Sequence, residues 1–173
     1  IFDVITDIEL TNFRRHEYTH IKCEPGEQVI AICGKNGAGK SSIFEAVQLA
    51  LFGEARNGRG GLDKMVRRGA ELEGMEVAVS FTLGEESYRV ARRRDSKASS
   101  AVLDANGITV VEGVRAVNAA VQELLGTDGA GWRLATYARQ KELDVLSKLG
   151  DAARSRAIAK LLKLDALTRA STS

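Results

Sequence analysis

Residues Gly34-Lys35-Asn36-Gly37-Ala38-Gly39-Lys40-Ser41 complete a G-x-x-x-x-G-K-S phosphate-binding loop, and this motif restricts the fold more than any other feature of the chain. It needs a buried strand in front of it and a helix behind. The apolar run Gln28-Val29-Ile30-Ala31-Ile32-Cys33 reads as that buried strand, and Ser42 to Phe52 reads as the helix. A chance match at this composition arises in about 1% of shuffled sequences, so an ordinary glycine-rich turn is a poor explanation. The implied ligand is a nucleoside triphosphate.

Gly34, Gly37 and Gly39 let several backbone N–H groups converge on one concavity, and the following helix adds the positive end of its dipole. The segment Asn36, Gly37, Ala38, Gly39, Lys40, Ser41 and Ser42 is therefore the candidate nucleotide-binding stretch. Lys40 should reach the β- and γ-phosphates as a mobile point charge, and Ser41 should place its hydroxyl on Mg²⁺. The loop alone does not choose ATP over GTP. Hydrolysis also needs a Walker B carboxylate and a group that positions water. Glu76 to Thr82 alternates like a strand, but no carboxylate ends it; Leu161 to Asp165 lies in a helical pattern interrupted by Lys163. The chain reads as half of a catalytic site.

A length of 173 residues suffices for one sizeable core, and a net charge of +2 does not by itself argue for nucleic acid. No signal peptide, lipidation motif or bilayer-length apolar run is evident, which points to a cytoplasmic protein without a membrane partner. A first residue of Ile1 suggests a trimmed chain. Cys23 and Cys33 are expected as reduced, packed thiols. His16 and His20 lie four apart on a strand-like stretch, which argues against a zinc site.

Ile5 to Phe13 and Tyr18 to Cys23 read as strands, with Glu24-Pro25-Gly26-Glu27 as a turn. Gly53 to Gly61 reads as a mobile loop. Further strands are expected at Met75 to Leu83, Ser87 to Arg94, Ser99 to Asp104 and Ile108 to Val111, with hairpin turns at Gly84-Glu85-Glu86 and Asn106-Gly107. Helices are expected at Val114 to Leu125, Gly131 to Ala138 and Asp151 to the end. The fold class is thus α/β, with an antiparallel-rich β layer beside a P-loop strand and helix. A small-molecule kinase, which alternates strand and helix to build a parallel sheet, fits poorly.

Several segments together resemble the SbcC-type ATPases, the coiled-coil subunits of the double-strand-break repair nuclease and counterparts of the ATPase in the MRN complex, within the ABC/SMC superfamily. Asn12-Phe13-Arg14-Arg15-His16 resembles their N-F-R-x-H pattern, Gly37 to Ala46 their P-loop and helix, and Leu51-Phe52-Gly53 their helix exit. Tyr88 to Arg93 is similar to their Y-x-h-x-R-R hairpin, and Tyr137 to Leu143 to their Q-loop. In this family the head is split: the N-terminal lobe carries P-loop and Q-loop, and the C-terminal lobe carries signature motif, Walker B and switch histidine.

The resemblance implies a half-head at residues 1–150, and at 151–173 the root of a coiled-coil arm where a nuclease docks. It implies ATP and Mg²⁺ as cofactors. The implied partners are the C-terminal lobe of the same protein, a second head joined through ATP, an SbcD-like nuclease subunit, and double-stranded DNA bound without sequence preference. In a bacterium the protein would be nucleoid-associated. Gln140 falls at the Q-loop position, where a neutral amide would contact Mg²⁺ and orient water; taken alone it is a surface polar residue. Arg14 would reach the phosphates, or else be a solvated strand-end cation. Arg15 departs from the small polar residue common at its position, which leaves its role open. Asn36 would face the γ-phosphate between two heads, or serve as a turn residue tolerant of the left-handed conformation.

The densest basic run, Arg92-Arg93-Arg94, has two readings: a solvated edge strand, or contact with the DNA backbone. Other readings of the whole remain open. They are another SMC-like ATPase in chromosome organisation, recombination or phage defence; the nucleotide-binding domain of a membrane transporter; or a module that holds ATP without turnover.

Overall fold

The computed structural model describes residues 4–23, 31–54, 62–96 and 98–136. The chain divides into two compact units, Ile1–Gly126 and Thr127–Ser173. The first contains strands β1 (Val4–Phe13), β2 (His16–Lys22), β3 (Met75–Leu83), β4 (Glu86–Arg94), β5 (Ser99–Ala105) and β6 (Ile108–Glu112), with helices α1 (Lys40–Phe52) and α2 (Val114–Leu125). The strands form an antiparallel sheet in the order β2-β1-β3-β4-β5-β6. Every pairing is between consecutive strands except β1 with β3. The phosphate loop and α1 are inserted at that one crossing.

Local sequence accounts for most of these elements. In β3, Met75, Val77, Val79 and Phe81 alternate inward and are all buried. Along α2, Val117, Val121 and Leu125 recur every fourth residue and are buried, so that stripe faces the core. Helix α1 packs on β1, β3 and β4, and α2 packs on β5, β6 and α1. Asn106 at φ 50° and Gly107 at φ 80° supply the left-handed pair that closes the β5–β6 hairpin.

Two expectations fail here. The described end of the expected P-loop strand, Ala31 to Cys33, is not a strand, and Ala31 and Cys33 are exposed. A strand needs a ladder partner. Residues 31–33 pair with none of the six strands of the antiparallel sheet. Cys33 is therefore an exposed thiol and only Cys23 is buried. The second correction concerns Arg92. Strand β4 lies between β3 and β5, so it is not an edge. Arg92 is buried at 7% relative exposure, with Nε donating to the Ala50 carbonyl at 2.6 Å and Nη2 to the Leu51 carbonyl at 3.2 Å. These are orphan acceptors of the last turn of α1, so Arg92 acts as a side-chain cap. It is neither a solvated cation nor one placed to meet DNA.

Gly53 ends α1 in the left-handed conformation at φ 68°, its N–H on the Leu49 carbonyl at 2.8 Å. A Cβ there would come within 2.9 Å of Asn118 Oδ1 and 3.0 Å of Arg92 Nη1. Gly74 is still more constrained. It has φ 78°, and a Cβ would overlap the Arg94 carbonyl and fall 2.8 Å from Asp95 Cα, both backbone. Gly74→Ala is expected to destabilise the protein by ~3 kcal/mol, combining left-handed strain with a clash that only backbone movement relieves. Urea unfolding measures this; a loss under about 1 kcal/mol would show that the Arg94–Asp95 backbone gives way freely.

In the second unit, the described residues form helix α3 (Gly129–Thr136). Asp128 stands before it and accepts the Gly131 N–H at Oδ1, 2.8 Å away, an ordinary N-cap. The expected boundary at residue 150, the expected arm root at 151–173, and most of the Gly53–Gly61 loop lie outside the described residues. No described helix is long and apolar enough to cross a membrane.

Candidate functional site

Gly37 at φ 80° and Gly39 at φ 97° place the phosphate loop in left-handed conformations that side chains resist. Asn36 is not left-handed, so tolerance of that conformation does not explain it. The loop closes on itself through Ala38 N–H to the Lys35 carbonyl at 3.1 Å and Ser42 N–H to the Gly39 carbonyl at 2.9 Å. Lys40 arches back over it, with Nζ donating to the carbonyls of Gly34 at 2.6 Å and Lys35 at 2.8 Å.

Helix α1 starts at Lys40 with Gly39 as N-cap, no side-chain cap and no acidic residue in its first turn. The Lys40 and Ser41 amides and the dipole end are thus left to an external acceptor, while the Ser42 N–H is taken by the Gly39 carbonyl. Asn36, Gly37, Ala38 and Ser41 are exposed, and Ser42 is half-buried. Glycine backbone, an uncapped helix start, an ammonium and an adjacent hydroxyl form a donor set that fits a triphosphate with its divalent cation.

The β1–β2 turn grips this loop. Phe13 pairs with His16, leaving Arg14 and Arg15 as the turn, with Arg14 at φ 56°. That conformation costs a non-glycine residue about 1 kcal/mol. Arg14 donates through Nε to Glu45 Oε2 at 3.1 Å and through Nη1 to the Lys64 carbonyl at 3.3 Å. Glu45 lies on α1 one turn beyond Ser41. Arg14 therefore lies alongside the helix start, held by a carboxylate and a carbonyl. Arg15 Nη1 donates to the Gly37 carbonyl at 2.7 Å. His16 Nε2 meets the Gly39 carbonyl at 3.1 Å, and Nδ1 meets Thr19 Oγ1 at 2.8 Å. His20 instead pairs with Asp7 at 3.0 Å, so the two histidines serve different partners.

Arg15 and His16 as loop partners were not legible from the sequence. The only available signal was the N-F-R-x-H pattern itself, which gives the residues but not what they touch. The same turn also anchors the segment after residue 61. Phe13 bridges to Val66, Arg14 N–H reaches the Met65 carbonyl at 2.7 Å, and Arg67 N–H reaches the Asn12 carbonyl at 2.7 Å.

Gln140, and with it the expected Q-loop, lies outside the described residues. Among the described residues no group of three or more His, Cys, Asp or Glu could hold a metal ion. The remaining basic residues of β4 have partners or acidic neighbours. Arg94 pairs with Asp63 at 2.9 Å, Arg89 pairs with Glu9 at 3.5 Å, and exposed Arg93 stands opposite Glu76.

A family model described as AAA domain matches residues 7–171. The DNA double-strand break repair Rad50 ATPase of Methanocaldococcus jannaschii is 35% identical over 162 residues, covering 94% of this chain and 16% of that relative. The Rad50 ATPase of Methanococcus maripaludis is 31% identical over 168 residues, covering 97% of this chain and 16% of that relative. The SbcC component of the SbcCD nuclease of Deinococcus radiodurans is 41% identical over 71 residues, or 40% of this chain and 8% of that relative. The chain thus spans about one sixth of the length of the two Rad50 relatives. A solved structure from a study of ATP-driven dimerization and DNA-stimulated activation of SMC ATPases aligns at a TM-score of 0.67 and 21% identity, covering 91% of this chain and 98% of that one. That likeness assigns the fold: an α/β fold of the ABC/SMC type.

Proposed function

Because the chain belongs to the AAA domain family and matches the N-terminal region of Rad50 and SbcC ATPases, we propose that it is the ATP-binding N-terminal lobe of a DNA double-strand-break repair ATPase. The observation that carries this reading is the start of α1, where an uncapped glycine N-cap, the Lys40 ammonium and the exposed Ser41 hydroxyl converge. Helix α2 also starts at an uncapped glycine, Gly113, but it follows strand β6 directly, with no glycine loop and no hydroxyl in its first turn.

In this reading Lys40 exchanges its two loop carbonyls for the β- and γ-phosphates. The amides of Gly37, Gly39, Lys40 and Ser41 take the remaining phosphate oxygens, while those of Ala38 and Ser42 stay on the Lys35 and Gly39 carbonyls. Asn36 faces the γ-phosphate from the exposed side of the loop, and Arg14 holds the helix start. Ser41 and Gln140 would hold Mg²⁺, which would supply charge neutralisation for the phosphates. Gln140 also orients the attacking water. Walker B and the signature motif come from a C-terminal lobe, with the signature motif supplied across a dimer of heads. Residues 151–173 begin the arm, an SbcD-like nuclease docks at its root, and double-stranded DNA binds without sequence preference. The protein is cytoplasmic.

Mg-ATP hydrolysis by this chain, with and without the C-terminal lobe, tests the reading. The chain alone is expected to bind without turnover, and the added lobe to confer it. Robust hydrolysis by the chain alone, lost in Lys40→Ala, would mean a complete site and would overturn the split-head assignment.

A further inference from the structure

We infer that His16 is a positioning residue for nucleotide binding: it fixes the Gly39–Lys40 peptide plane so that the Lys40 backbone N–H faces the phosphates. The inference rests on the ATP-binding reading of the loop.

The imidazole is held from both sides. His16 opens β2 and Thr19 lies three residues on in the same strand, its register fixed opposite Leu10. A carbonyl oxygen only accepts, so Nε2, 3.1 Å from the Gly39 carbonyl, carries a proton. In the neutral ring Nδ1 then accepts from the Thr19 hydroxyl at 2.8 Å. Both ring nitrogens are engaged, so His16 acts through the peptide it touches.

That peptide is the first of the helix. The Gly39 carbonyl also receives the Ser42 N–H at 2.9 Å, so donors occupy both of its lone pairs. In a trans peptide the carbonyl and the following N–H point in opposite directions. A Gly39 carbonyl turned toward His16 and into the helix turns the Lys40 N–H outward from the helix start. This N–H is one of the first-turn donors that has no acceptor within the helix. The ring also packs against the loop backbone, because a Cβ on Gly39 would lie 2.7 Å from His16 Nε2. Glycine at 39 thus serves its φ of 97° and the approach of this ring together. Arg15 holds the same loop at the Gly37 carbonyl, an exposed contact to a different peptide that does not orient the Lys40 N–H.

Titration of a fluorescent ATP analogue with Mg²⁺ into the 173-residue chain tests this with two variants. His16→Phe keeps the ring's bulk and removes the donor, and it is expected to raise Kd about tenfold. His16→Gln restores an N–H donor at similar reach, and its Kd should stay within about threefold of the original. Both variants should melt close to the parent without nucleotide, since Gly39 keeps its Ser42 partner. Parent-like affinity in His16→Phe overturns the inference, and so does a loss in His16→Gln as large as in His16→Phe. If the parent and Lys40→Ala bind equally poorly, the ATP-binding reading itself fails. The ¹⁵N spectrum of the His16 imidazole then still decides the contact: an Nε2–H tautomer is expected, and an Nδ1–H tautomer overturns it.

Discussion

Lys40→Ala is expected to raise the Kd of this chain for Mg-ATP by about a hundredfold or more, close to loss of measurable binding. The ammonium sits 2.6 and 2.8 Å from two loop carbonyls, so it is within reach of whatever the loop encloses and already ordered there. A charge-assisted hydrogen bond to a phosphate contributes about 1.5–3 kcal/mol, and the lysine is placed to make more than one. Removing it also leaves the Gly34 and Lys35 carbonyls facing a polyanion with no cation between them. That adds repulsion to the lost attraction. Lys40→Arg should not rescue, because a planar fork does not reproduce a compact ammonium in a loop this tight. Calorimetric titration of the three proteins measures this. Fold stability should hardly change, since both carbonyls belong to an exposed loop and water can replace the ammonium. Unaltered affinity in Lys40→Ala would remove the phosphate loop from any role in nucleotide binding.

What the sequence revealed and what it hid separate along physical lines. Strand β3 was legible to the residue because its alternation, Met75 through Phe81, is driven by burial on one face. Helix α2 was legible because its apolar spacing and flanking glycines are local signals. Strand β2 starts two residues earlier than expected: His16 and Glu17 are polar, and their place in the sheet is set by the turn at Arg14-Arg15, not by burial. The described end of the apolar run, Ala31 to Cys33, misled because hydrophobicity says that a segment seeks cover, not where its ladder partner lies. In the site, the loop itself was legible as a contiguous motif. The His16–Gly39 and Arg15–Gly37 contacts were not, because they join residues 23 and 22 positions apart through the β1–β2 turn. Arg92 was hidden for a related reason. Charge runs are ordinarily solvated, and only the packing of α1 on β4 brings the last carbonyls of that helix to this side chain.

Arg92→Ala is expected to lower stability by ~3 kcal/mol, whereas Arg93→Ala, one residue away, should change it by less than about 0.5 kcal/mol. Two opposing terms set the first value. Burial pushes the Arg92 pKa down from the ordinary arginine range to about 10, a desolvation cost on the order of 3 kcal/mol. Against it stand two charge-assisted bonds to the Ala50 and Leu51 carbonyls, about 1.5–3 kcal/mol each. The two bonds together at least offset that cost. The loss in Arg92→Ala comes mainly from what is left behind: two helix-end acceptors without their donor and a cavity where the side chain lay. Arg92→Met fills that cavity and relieves the desolvation, so it should cost only ~1 kcal/mol, and this ordering separates packing from charge. The pH dependence is also fixed in sign. The folded pKa lies below the unfolded one, so from about pH 10 up to the ordinary arginine range the unfolded chain binds more protons and stability rises with pH. Below that window Arg92 is protonated in both states, and the difference between the parent and Arg92→Met should stay level to within ~0.3 kcal/mol from about pH 6 to 9. Urea unfolding of the four proteins across that range reads all of this. A cost for Arg93→Ala matching that of Arg92→Ala would mean that the basic run acts as a unit at the surface, and the cap at the end of the phosphate-loop helix would have to be abandoned.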